Sequence, residues 1–227
     1  MDAMPMTGGW TMSMMWTRMP GQTWAGAEAS FVVMWVAMTV AMMLPSIAPT
    51  LWRHRRSVGG VGAAHPAPLT ALVAAGYLSV WTLLGAAVFP LGVALAAIRM
   101  RQPALAHVAP IAAGVVVLAA GLLQRSAWKA RHLACCRAER WHGVATSAVA
   151  SAAWRGGVRL GVHCASSCAA PMAVLLALGV MELRTMVVVA AAVTVERLAP
   201  AGERVARVTG TVAIAAGMLL VALRLTA

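Results

Sequence analysis

The stretch Ala29–Leu44, ASFVVMWVAMTVAMML, carries no charged side chain. A run this long and this apolar belongs in lipid or against other helices, and as a helix it satisfies its own backbone there. Residues four apart share a helix face, so Met34, Met38 and Met42 form a row of thioethers. Thioether sulfur is a soft, uncharged ligand suited to Cu(I). Upstream lies a methionine-rich tail with Met1, Met4, Met6, Met12, Met14, Met15 and Met19 among Gly, Thr, Ser and Pro. Downstream, Cys164, Cys168 and Met172 repeat the interval of four. Two sulfur ladders in one small chain point to handling of a soft metal ion, against a plainer reading in which Met and Cys fill apolar gaps.

Composition makes the bilayer the solvent for much of the chain. Of 227 residues, 61% are hydrophobic and 11% charged, with mean hydropathy +0.81, far below the charge content of soluble domains. The apolar segments are continuous and about 20 residues long, which favours an all-α, polytopic transmembrane helical bundle over a barrel of short alternating strands. The net charge of +12 does not imply nucleic acid, because the arginines flank apolar segments as they do where positive residues hold helix ends on the cytoplasmic side.

Segments near 29–52, 69–98, 104–123 and 160–180 read as spans, followed by 185–198 and 205–225. Five or six spans result, and six is preferred because either of the last two would otherwise expose many valines and alanines. Glu196, Arg197, Glu203 and Arg204 then fall in the final turn. Arg53, Arg55 and Arg56 follow the first span, and a basic loop at about 124–159 carries Arg125, Lys129, Arg131, Arg137, Arg140, Arg155 and Arg159. The positive-inside rule makes that side cytoplasmic. Residues 1–28 become an extracytoplasmic tail, and 29–227 a transmembrane helical domain. The cysteines then lie toward the reducing side, as free thiols or ligands.

Within the basic loop, His132 and Cys136 are four apart and could share an ion, although the spacing is not that of a zinc finger. Trp128, Leu133 and Trp141 interleaved with Arg and Lys also describe an amphipathic helix on anionic lipid. Glu182 and Glu196 lie near span ends with Arg184 and Arg197 beside them. No phosphate loop, nucleophile–base set or carboxylate pair is visible, so no enzyme is expected.

Three motifs occur in order: MWVAMTVAMMLPSIAP at 34–49, a Gln-x-Ser-x-x-Lys followed by Cys-Arg, and a Cys-x-x-x-Cys-x-x-x-Met helix. Together they resemble a bacterial family of predicted metal-binding integral membrane proteins, a domain of unknown function, over about Trp24 to Pro200. The resemblance implies a multi-pass protein of the bacterial inner membrane, its N-terminus extracytoplasmic, with suspected metal ligands and no established activity. Members of that family usually carry a further spanning helix before the methionine-rich loop, in which this chain starts. His132 stands where a second cysteine is expected, and Cys136 keeps its place.

The candidate metal ligands are Met34, Met38, Met42, Cys164, Cys168, Met172, His132 and Cys136, with copper(I) as the expected ion. It would be bound for transfer, storage or delivery to a partner enzyme. The alternative is a non-catalytic accessory or structural subunit of a larger membrane complex, with small-residue faces such as Gly156-Gly157 and Ala190 to Ala192 against partner helices. Expected partners are the lipid bilayer and a membrane protein or a second copy of the chain, with no nucleic acid. Haem held by His and Met is a third possibility.

Overall fold

The computed structural model describes residues 3–6, 10–13, 16, 18, 21–60, 66–142, 149–178 and 183–226. Among the described residues seven helices follow one another: α1 (Trp24–Gly60), α2 (Pro66–Arg101), α3 (Pro103–Gln124), α4 (Ala127–His142), α5 (Ala150–Leu178), α6 (Leu183–Leu198) and α7 (Gly202–Leu225). The fold is the expected helical bundle. A small antiparallel ribbon in the tail, β1 (Ala3–Met6) and β2 (Trp10–Ser13), sets Met4 opposite Met12 and Met6 opposite Trp10. Met1, Met14, Met15, Met19 and Glu182 lie outside the described residues.

Four helices, α1, α2, α5 and α7, are long and apolar enough to cross a membrane. A fifth crossing exists if α3 and α4, bent by 64° at Arg125–Ser126, count as one. The lower of the two expected counts, five, is reached in this way, and six is not reached among the described residues. Helix α6 has 16 residues, about 24 Å at 1.5 Å per residue, short of a hydrocarbon core about 30 Å thick. Two further expectations are corrected. The basic loop at about 124–159 is largely helical, and Arg155 and Arg159 sit on α5. Glu196 and Arg197 are not in a turn: they form the last turn of α6 and are buried.

Aromatic side chains lock α1 to α2. Phe31 packs on Phe89 with ring centroids 5.4 Å apart and is flanked by Trp16 and Trp35. The buried Trp35 indole needs a hydrogen-bond acceptor and donates Nε1–H to the Trp81 carbonyl at 3.0 Å.

Helices α2 and α5 approach backbone to backbone. A Cβ on Gly157 would lie 2.2 Å from the Val73 carbonyl oxygen, so only glycine fits, and this face of Gly156-Gly157 is used inside the chain, not against a partner. Such close approach is how helices associate where lipid removes the hydrophobic drive. Gly157→Leu is expected to lower stability by at least about 1–3 kcal/mol, the usual cost of overpacking. Denaturant unfolding in detergent checks this against Gly156→Leu, one residue along on a less buried face.

Candidate metal centre

Cys164 and Cys168 stand one turn apart on α5, 0% and 1% exposed, and α2, α3, α4 and α6 pack against that helix. The interval of four residues puts both on one face of the helix. Helix α2 supplies the Tyr77 hydroxyl, 3.0 Å from Cys164 Sγ. Helix α6 supplies Arg197, whose Nη2 donates to Cys168 Sγ at 3.3 Å, to Ser167 Oγ at 2.8 Å and to the Cys164 carbonyl at 3.2 Å. Its Nη1 reaches Ser46 Oγ of α1 at 3.4 Å.

Beside the sulfurs runs a buried chain of charges. Lys129 Nζ pairs with Glu196 Oε2 at 2.9 Å, the two side chains 3% and 2% exposed. Glu196 Oε1 also accepts from Gln124 Nε2 and, at 2.8 Å, from Thr209 Oγ1. Local backbone chemistry explains how Lys129 is held. Pro171 has no N–H, so the Ser167 carbonyl four residues back loses its helical donor, and Lys129 Nζ donates to that carbonyl instead. At the start of α4, Ser126 Oγ accepts from the Lys129 amide at 3.2 Å, the geometry of an N-cap. Lys129, Leu133 and Cys136 then share a buried face against α5. The helix is thus packed into the bundle along that face and does not simply lie on lipid. A cleft of about 280 Å³ between the α3–α4 corner and α7, walled by Gln124, Lys129 and Ala206, leads toward these charges.

The sequence candidates are distributed as follows. Met38 and Met42 are buried in the same apolar cluster as Cys136, Cys164, Cys168 and Met172, and Met34 is half-buried against it. Met43, not singled out, is more buried than any of them on α1, at 1% exposed. Cys136 Sγ lies 3.8 Å from Ser167 Oγ. His132 is turned elsewhere: its ring meets Trp128 at 4.5 Å and His163 at 5.8 Å between centroids. Cys135 is exposed. Among the described residues no three His, Cys, Asp or Glu side chains are grouped to hold an ion. The donor set at the centre is therefore a thiol pair with thioethers in the surrounding cluster. That chemistry fits a soft ion of low coordination number and does not supply the four ligands of structural zinc.

Several residues here escaped the sequence reading. Glu196 pairs with Lys129 of another helix, and Tyr77, Gln124 and Ser46 were given no place in the site. Their signal was partly present: Gln124, Ser126 and Lys129 form the Gln-x-Ser-x-x-Lys motif, and Glu196-Arg197 ends an apolar run.

The profile of the PpoB2 family, described as a copper chaperone, matches residues 32–220. The chain belongs to this family. The match runs from the methionine row of α1 to α7, so the PpoB2 profile takes in every residue of the buried centre. It also replaces a domain of unknown function by a copper-related family. No curated protein and no solved structure matches the chain.

Proposed function

We propose that this chain is a non-catalytic membrane protein that holds Cu(I) between Cys164 and Cys168 and passes it to a partner protein. The observation that carries the reading is the buried pair of thiols one turn apart on α5 within a PpoB2-family match. Thiolates and thioethers select Cu(I) over harder ions. Met38, Met42 and Met172 share the apolar cluster with the pair and offer thioethers along the approach, with Met34 at its edge. Cys136 is the nearest further thiol, and His132 one turn before it lies toward the outer end of the same helix face.

In this reading α3 and α4 together make the fifth crossing, and the five crossings sit in a bacterial inner membrane, the methionine-rich tail outside and the arginines after α1 and along α4–α5 inside. Methionine resists disulfide formation in an oxidising compartment, and the cysteines face the reducing one. Copper is cargo here, caught, kept and delivered. Purified protein in detergent is expected to bind about one Cu(I) at the thiol pair, with Cys168→Ser and Met38→Leu both weakening it in competition with a chromophoric Cu(I) chelator. Unchanged binding in both variants would end the reading.

A further inference from the structure

We propose that Arg197 makes the Cys164–Cys168 pocket prefer a singly charged soft cation over a doubly charged one. The inference rests on the reading that this thiol pair holds the metal, and concerns which charge the pocket accepts.

Charge counting supplies the argument. When two thiols bind an ion M⁺, two S–H bonds break, two M–S bonds form and two protons leave, so the complex carries one negative charge. With M²⁺ the same two sulfurs give a neutral complex. Arg197 brings one fixed positive charge to 3.3 Å from Cys168 Sγ, and it is 5% exposed. The adjacent Lys129–Glu196 pair, at 2.9 Å, adds no net charge. A singly charged ion on the thiolates therefore makes an anionic complex that the guanidinium attracts. A doubly charged ion makes a neutral complex on which the guanidinium exerts no net pull, a difference of one unit charge in an interior where Coulomb terms are several times larger than in water.

A guanidinium inside an apolar bundle is expensive and is generally found where it does something. Arg197 is also held in place, with donors fixed by Ser46 Oγ, Ser167 Oγ and the Cys164 carbonyl. Its contact to Cys168 Sγ is where a bound ion would change the local charge. The fork of a guanidinium suits several acceptors at once, and Ser46, Ser167 and the carbonyl come from two different helices.

The test compares Ag(I) and Cd(II), both soft, on purified protein in detergent, by competition isotherms. Wild type is expected to favour Ag(I). Arg197→Gln is expected to lower the Ag(I)/Cd(II) affinity ratio by about tenfold or more, a modest part of what one unit charge supplies at this separation. Arg197→Lys, which keeps the charge, is expected to retain most of the ratio. An unchanged ratio in Arg197→Gln with intact Ag(I) binding overturns this inference and leaves the thiol-pair reading standing. Absence of soft-metal binding in wild type overturns both. If Arg197→Gln does not fold, Arg197→Leu in the full chain removes the same charge without leaving a buried amide, and an unchanged ratio there overturns the proposal.

Discussion

Glu196→Ala is expected to destabilise the bundle by roughly 3–5 kcal/mol, the usual result of removing one partner of a buried ion pair. The loss comes from what is left behind. Lys129 Nζ would keep its charge beside the Ser167 carbonyl with no carboxylate at 2.9 Å, and Gln124 and Thr209 would lose a shared acceptor. The double variant Lys129→Met/Glu196→Met removes both charges together and is expected to recover most of that loss, because paired buried ions are often replaced by apolar side chains at little cost. Glu203→Ala serves as comparison, since its pairing with Arg207 is exposed at 3.8 Å and such pairs contribute little. Denaturant midpoints in detergent measure all three. Equal midpoints for Glu196→Ala and Glu203→Ala would show that the buried carboxylate is not structural.

The second large effect is a graded loss of Cu(I) affinity across the four cysteines. Serine replaces each thiol with nearly the same shape and keeps a hydrogen-bonding group, so the fold is retained while the soft ligand is lost. Cys164→Ser and Cys168→Ser are expected to weaken binding by about 100-fold or more, beyond the 10–100-fold usual for an outer-sphere partner. Cys136→Ser, whose thiol faces Ser167 at 3.8 Å, is expected to fall in or below that range. Cys135→Ser, on the exposed side, is expected to change nothing. Chelator competition on the four variants gives the order directly, and a uniform loss, or one largest at Cys135, contradicts the site described here.

The helical class could be read from one uncharged segment, because a chain this apolar has few ways to satisfy its backbone. The count of crossings could not. Hydropathy marks 185–198 as apolar, yet it does not reveal that α6 is too short to span or that its last turn delivers Glu196 and Arg197 to the interior. For the same reason Arg155 and Arg159 read as loop residues, since charge suggests a surface while helix continuity is set by packing of Gly157 against Val73. The thiol pair was legible because i, i+4 spacing is local. Its charged neighbours were not. Lys129, Tyr77 and Arg197 come from three other helices, and no spacing rule connects residues that only tertiary packing brings together. Pro171 belongs to the local kind of signal, since a missing N–H frees the carbonyl one turn back, but that Lys129 supplies the donor is again tertiary.

The corner at Arg125–Ser126 has a consequence for chain length. Each residue added to a helix turns everything beyond it by about 100°. The corner places Ser126 at the cap and Lys129 three positions later, with Leu133 and Cys136 following on the same side. An insertion or deletion of one residue between Ser126 and Lys129 would rotate that side away. Trp128 or Ala130 would then meet the carboxylate of Glu196 in place of an ammonium group. The interval between hydroxyl and amine thus acts as a fixed ruler, and tolerance to substitution in this segment should greatly exceed tolerance to any change in its length.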